Sequence, residues 1–364
     1  NFRSRSNLVA FANAFVNLIP HRMKHTPIQA HQLEKGSIRI TQYQSDNLIV
    51  PLIKDVLESP LAGTTGILTK TNEDAVFIAC LLQEQGMPVR LVQTNSGNFY
   101  LGDLDEIRYF NRALDLSQDT HLIDDERWET AKRCLKREFG HAQSWEICRN
   151  IILNFEQVYS RKYHSDWTNY LFESKLEDFY PVQGEAIVVS TIHKAKGKEF
   201  DNVFLLLTNI ESLSDEKKRE VYVAITRAKQ NLSIHTNGHY LSNIANGLAE
   251  YRINSNTYPA PQSLCYTLTH RDLWLDFFID SHCQAAINTL KSGMSLRLTE
   301  KGCTDFSNNE ILRFSKKFKD ILNELIQKDY KLEKASVNFV VYWEKQEDKK
   351  EAKIVLPKVV FKKV

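Results

Sequence analysis

AIVVSTIHKAKGKEFDNVFLLL, residues 186–207, sets two apolar runs on either side of a charged insert. Runs that are apolar at nearly every position, here 186–191 and 203–207, suit strands covered on both faces, as in parallel sheets. A strand with one wet face would alternate instead. The insert TIHKAKGKEF, 191–200, starts where the first strand ends, and in open α/β sheets strand ends are where loops meet ligands. Thr191 and His193 can donate to a phosphate backbone, and Gly197 lets main chain approach closely. Lys196 offers a cation for phosphate and Glu199 an acceptor for sugar hydroxyls. The same residues would also serve as a surface turn of mixed charge.

Outward from this stretch, strand and helix patterns alternate. Upstream lie a short apolar strand at 66–70 (GILTK), a helix at 73–85 and a strand at 89–93; downstream a helix at 215–229 and a strand at 231–235. Nearer the start, Leu8, Phe11, Phe15, Leu18 and Ile19 form the apolar stripe of a helix over 4–19. A strand at 37–41 follows, then a helix at 46–58 ended by Pro60, and a further helix at 103–115. Residues 116–180 have a different texture, helical, charged and aromatic, with periodic segments at 125–139, 143–160 and 165–176. One α/β domain with a helical insertion accounts for this order. Past 240, Pro259 and Pro261 mark a linker, amphipathic segments run at 271–290 and 310–328, and a hairpin is expected from 335–343 and 354–361. That closing part reads as a separate small α+β module.

Bulk composition narrows the class. With 364 residues the chain is long enough for two or three domains, and 42% hydrophobic and 25% charged residues describe an ordinary core-forming protein. A net charge of +2 means that any nucleic-acid surface must be a local patch. The six cysteines include no CxxC pair, so metal-ligand spacing is absent and a reduced, cytoplasmic setting is the simplest expectation. No metal-ligating residues are expected, and no apolar run reaches the roughly 18 residues of a membrane span. The chain opens on Asn1 rather than Met, which reads as a piece of a longer polypeptide.

Two further strings matter. In VYVAITRAK, 221–229, Val221, Ala224 and Ile225 would pack a helix on the sheet while Arg227 projects from its late turns. An arginine held there can stabilise charge in phosphoryl transfer, or it can simply meet the helix-end carbonyls. In NFRS, 1–4, an aromatic and an arginine precede the first helix, where they could stack on a base and touch phosphate.

Taken together and in order, NFRS, TIHKAKGKEF and VYVAITRAK resemble motifs IV, V and VI of UvrD/Rep-type superfamily 1 DNA helicases. Residues 66–92, GILTKTNEDAVFIACLLQEQGMPVRLV, resemble the strand–helix–strand between the first two of these. The resemblance covers about 1–112 and 181–238. It implies a RecA-like α/β parallel-sheet lobe made of those residues, with a helical insertion subdomain at 113–180 and a C-terminal α+β accessory module at 239–364. It also implies roles. Phe2 would stack on adenine; Arg3 and Arg227 would sense the γ-phosphate; Lys196, Gly197 and Glu199 would lie beside the nucleotide. Thr191, His193, Thr71 and Asn72 would hold single-stranded DNA.

The sequence departs from the family at Phe2 for tyrosine, Lys70 for arginine, and Lys198 for an apolar residue. No GxxxxGK[ST] occurs; AGTTGILTK, 62–70, has the wrong spacing and reads as a turn, and LIDDER, 122–127, as an acidic helix start. ATP and Mg²⁺ are therefore expected to be held chiefly by an N-terminal RecA-like lobe of the same polypeptide. This chain alone would not hydrolyse ATP. The expected partners are that lobe and single-stranded or duplex DNA. The competing expectation is a non-catalytic DNA-binding or docking module in a larger RecQ-like fusion helicase.

Overall fold

The computed structural model describes residues 4–20, 26–92, 100–115, 121–180, 186–208, 214–245, 247–280 and 282–364. Phe2 and Arg3 fall outside them. Along the chain the first elements are α1 (Ser6–Val16), β1 (Ser37–Tyr43), α2 (Ile49–Glu58), β2 (Thr65–Thr69), α3 (Asn72–Glu84) and β3 (Val89–Val92). A helical block follows: α4 (Asp105–Ala113), β4 (Leu122–Ile123), α5 (Asp125–Phe139), α6 (Trp145–Val158), β5 (Lys162–Tyr163) and α7 (His164–Glu173). The chain then forms β6 (Ile187–Thr191), β7 (Phe200–Leu207), α8 (Asp215–Ile225), β8 (Ala228–Thr236), α9 (Ser242–Ala245) and β9 (Glu250–Asn254).

The larger sheet has the order β3-β6-β2-β7-β8-β1-β9, with every pair parallel. This is the α/β class expected from the continuous apolar runs. All five residues of β2 are buried, and β7 shows how a two-period strand serves two layers. Val203, Leu205 and Leu207 join the core under α1 and α8, while Phe204 and Leu206 join the core under α2 and α3. Phe11 and Phe15 of α1 are fully buried in the first of these cores. Pro60 follows the extended Ser59 that closes α2.

The remaining elements are β10 (Ser263–Thr267), α10 (Asp276–Asp280), α11 (Cys283–Ile287), β11 (Ser295–Leu298), β12 (Gly302–Thr304), β13 (Glu310–Arg313), α12 (Lys316–Gln327), β14 (Tyr330–Glu344) and β15 (Glu351–Lys363). Their sheet has the order β10-β15-β14-β11-β12-β13 and is antiparallel. The expected hairpin is present and longer than its apolar pattern suggested, because both strands run past the core as β14 and β15. Two amphipathic readings change. Residues 271–290 are broken into short helices, and 310–328 begins as β13 before the Ser315 cap starts α12.

Two compact units result: Asn1–Thr94 with Val182–Gln262, and Asn95–Pro181 with Ser263–Val364. The sequence reading had set 113–180 and 239–364 apart; here the helical block and the closing sheet share one unit. Bonds tie them directly. Arg108 of α4 bridges Asp103 and Glu351 at 3.0 and 2.9 Å, Lys353 meets the buried Asp105 at 2.8 Å, and Lys291 meets Glu138 at 2.7 Å. The helical block has an aromatic centre of Phe110, Trp128, Phe155 and Trp167, all essentially fully buried. Both indole N–H groups are satisfied, Trp128 by Glu156 at 2.7 Å and Trp167 by Asn111 at 2.8 Å. Of the tail aromatics, Phe339 is core, and Tyr342 lies under Arg108 and Lys353 as a cation–π partner.

Candidate functional site

The parallel sheet sorts the candidate residues onto its two opposite ends. At the carboxyl end, β2 and β6 finish together, with Thr69 opposite Thr191. Thr191 is buried; its carbonyl accepts from the Lys194 and Ala195 amides at 3.1 Å each. His193 projects outward with a side chain 76% exposed, and its Nδ1 lies 2.8 Å from Glu220 Oε1 of α8. On the neighbouring strand, Thr71 caps α3. Its hydroxyl accepts from the Asp74 amide at 3.0 Å and donates to the Asp74 carboxylate at 2.7 Å. Asn72 opens α3 and is exposed. The two strands end together at Thr69 and Thr191; beyond them His193 turns to α8 on one face of the sheet, and Thr71 and Asn72 open α3 on the other.

At the amino end, β7 and β8 start side by side, Phe200 opposite Ala228, and the Phe200 amide donates to Arg227 O at 2.9 Å. Arg227 is in the turn between α8 and β8, not in the late turns of a helix running to 229 as the sequence suggested. Its side chain curls back on the helix end. Nε donates to Val223 O at 2.9 Å, one terminal nitrogen to Lys198 O at 3.2 Å, the other to Thr226 Oγ1 at 3.0 Å. Glu199 immediately precedes β7 at this same end, and the Arg5 amide pairs with Lys229 O at 3.0 Å. Asp201 fixes the corner. Partial burial would raise its carboxyl, but the Thr64 amide and hydroxyl and the Lys229 ammonium, 3.0 Å away, hold it down at about 2.

TIHKAKGKEF is therefore not one loop at one strand end. Ile192 and Ala195 are buried in the α1/α8 core, so the segment is pinned across the sheet face from the end of β6 to the start of β7. Five strand residues at about 3.3 Å each make that crossing roughly 16 Å. Lys196 and Gly197 lie on it, both exposed, and Gly197 has φ +86° with open space where a Cβ would sit. A left-handed turn there is what brings the chain round to β7.

The chemistry near the amino end fits a nucleotide: the Arg227 guanidinium and, on the crossing segment, the Lys196 ammonium for phosphate, and the Glu199 carboxylate as an acceptor for sugar hydroxyls. A divalent metal would not. Asp201 is spent on Thr64, Lys229 and Gln230, leaving no carboxylate pair there among the described residues.

Sequence reasoning passed over one buried network in this unit. His235 of β8, 1% exposed, has Tyr43 Oη 2.8 Å from Nδ1 and Asp55 Oδ2 3.0 Å from Nε2. Arg39 pairs with Asp55 and donates to Ser233 Oγ at 2.9 Å. Burial drives the His235 imidazole below its ordinary value; burial alone would raise Asp55, but His235 and Arg39 bring it below. The signal was available as polar residues at alternate positions of β1, although nothing in sequence pairs them with α2. Glu220 was overlooked likewise, because only the fold sets α8 beside His193.

Residues 146–238 match the family model of the UvrD-like helicase C-terminal domain. That UvrD-like segment begins at α6 and runs through β8, so it includes Thr191, His193, Glu199 and Arg227. It leaves more than half the chain unmatched. Among solved structures, the C-terminal domain of a possible DNA helicase from Lactobacillus plantarum is 14% identical with a TM-score of 0.34, over 70% of this chain and 99% of that one. An arterivirus nonstructural protein 10 helicase is 14% identical with a TM-score of 0.15, over 61% and 67%, and its complex with DNA gives 61% and 68% at the same score. Superpositions this loose carry no argument. No curated protein matches.

Proposed function

We propose that this chain is the second RecA-like lobe, with accessory modules, of an ATP-dependent DNA helicase of the UvrD type. The observation that carries it is the UvrD-like match over 146–238, whose motif residues stand at opposite ends of one parallel sheet. Arg227 and Glu199 stand at the amino end, and Thr191, His193, Thr71 and Asn72 at the carboxyl end. A crossing segment of roughly 16 Å, held to the core by Ile192 and Ala195, runs from one end to the other and in this reading carries displacement between them.

In this reading ATP, with Mg²⁺ and a phosphate loop held by another lobe of the full polypeptide, supplies the phosphoryl chemistry. Arg227 leaves the Val223 and Lys198 carbonyls, which hold it in reserve, and sets its planar cation against the terminal phosphate. The motif resemblance would add Arg3 and Phe2, which lie outside the described residues, and Lys196, Gly197 and Glu199 would line the nucleotide side. At the far end, Thr191, His193, Thr71 and Asn72 meet sugar and phosphate rather than base edges, so binding is sequence-independent and salt-sensitive.

Arg227→Ala in the full-length protein tests this. The expected loss of ATPase kcat is about 10³- to 10⁵-fold, measured on protein that circular dichroism shows to be folded; unchanged turnover would sink the role. A second reading, a DNA clamp or docking module without motor chemistry, is favoured by the engaged state of Arg227 and His193. A GxxxxGK[ST] sequence upstream in the same reading frame separates the two.

A further inference from the structure

Trp274 is the observation in the second unit that the helicase reading does not use. It follows directly on the seam where the chain after β10 meets the end of β13, Leu273 bridging Phe314, and its amide donates to Arg313 O at 2.9 Å. Ser315 locks the same corner, its amide on Asp272 O at 2.9 Å and its hydroxyl on Arg271 O at 3.0 Å. On this fixed backbone the indole is 48% exposed. The Arg313 guanidinium lies 5.5 Å from its ring centre and 5.0 Å from that of Phe277.

Two clefts share the indole and Asp276 in their walls. One, of about 420 Å³, is lined by Phe277, His282, Cys283 and Arg313; the other, of about 460 Å³, by Leu273, Phe314, Lys316 and Lys319. Both fall in the range of roughly 300–1,000 Å³ that holds small organic groups, so each has room for a nucleoside-sized group.

The charge is one-sided once pairs are removed. Glu310 is taken by Arg313 in a two-point pair at 2.8 and 2.6 Å, and Asp276 by Lys345 at 2.7 Å. Lys316 and Lys319 are exposed and have no ion-pair partner among the described residues. They begin α12, whose first turn holds no acidic residue, so its positive end adds to theirs. Lysine at a helix start is unfavourable for the helix itself, which makes an external anion the natural complement.

We propose that Trp274 and the two clefts form a second binding surface for single-stranded DNA, outside the parallel-sheet unit. The indole stacks on one base, the clefts receive its neighbours, and Lys316 and Lys319 meet phosphates. A flat aromatic with lysines beside it is the arrangement that holds single strands irrespective of sequence. An acidic peptide would satisfy the lysines but has no planar ring for the indole.

The test is fluorescence polarisation of a labelled oligodeoxythymidylate with the full chain. Trp274→Ala should weaken binding about five- to 150-fold, while Trp274→Phe stays closer to wild type. Lys316→Ala/Lys319→Ala, at exposed positions that cannot unfold the unit, should flatten the slope of log K against log salt by about 1.4. Unchanged affinity and slope in both would overturn the proposal, as would a labelled oligoglutamate that depends on Trp274 when the oligonucleotide does not. Thr191→Val, run alongside, separates the two surfaces: no effect there with a loss at Trp274 would count against the sheet-end reading and leave this one standing.

Discussion

Arg227 and His193 share a feature that neither string revealed: each is already engaged, the first by the carbonyls ending its own helix, the second by Glu220. For His193 this makes a direct prediction. Glu220→Gln removes the competing carboxylate, so oligonucleotide affinity should rise several-fold at low salt; a fall would mean that Glu220 positions the ring for DNA instead of withholding it. The Tyr43–His235–Asp55–Arg39 network predicts a stability effect. Asp55 is partly buried, and leaving its partners His235 and Arg39 unsatisfied costs about 1–3 kcal/mol, so Asp55→Ala should lower denaturant stability by about that much. The pH dependence has a defined sign. Folded His235 sits below its ordinary 6.5, so the unfolded chain binds the extra proton and stability falls as pH drops below that value. Asp55, held below its ordinary 3.8, adds a second loss as pH falls beneath that. His235→Asn should flatten the first limb of a urea-midpoint-against-pH curve; an unaltered limb would remove the network as its cause.

Among the elements, the crossing segment 191–200 is where local sequence and tertiary packing meet. Its charged residues read as a loop, yet Lys194, Lys198 and Glu199 are half-buried and only Lys196 is exposed. Ile192 and Ala195, three apart, are what hold it on the sheet. Gly197→Ala tests the turn in isolation: space is open at the Cβ, so the cost is backbone strain alone, about 1–2 kcal/mol. Equilibrium unfolding should show that loss, and coupling between the two sheet ends should weaken with it. The central strands β6, β2 and β7 were legible because they are apolar at nearly every position; β9 at the sheet edge was not, because EYRIN carries no such run. β12 and β13 were not, because three- and four-residue strands lack the length for a period to emerge, and an adjoining helix masked the second.

For the whole molecule, a net charge of +2 leaves no general attraction to DNA. Affinity must come from local contacts, each worth about 0.7 in the slope of log K against log salt for a single strand. A slope near zero would remove DNA as the partner at both surfaces. The division into two units was the least legible feature. Sequence order reads 113–180 as an insertion and leaves 95–112 in the α/β lobe, yet Arg108, Asp105 and Glu138 bond to residues roughly 150 to 250 positions later. Among the described residues no helix is long and apolar enough to cross a membrane, in line with the composition.

By itself the sequence determined the α/β class, the strand and helix order of the first unit as far as β8, and the motif residues carrying the UvrD-like match. Each of those is written in local periodicity or in short strings. Tertiary structure alone decided which residues share an end of the sheet, which carboxylates hold His193 and His235, and that the helical insertion folds with the C-terminal sheet. The reason is physical: strand order, register and long-range ion pairs depend on which surfaces bury each other, and no local stretch of chain records its partner.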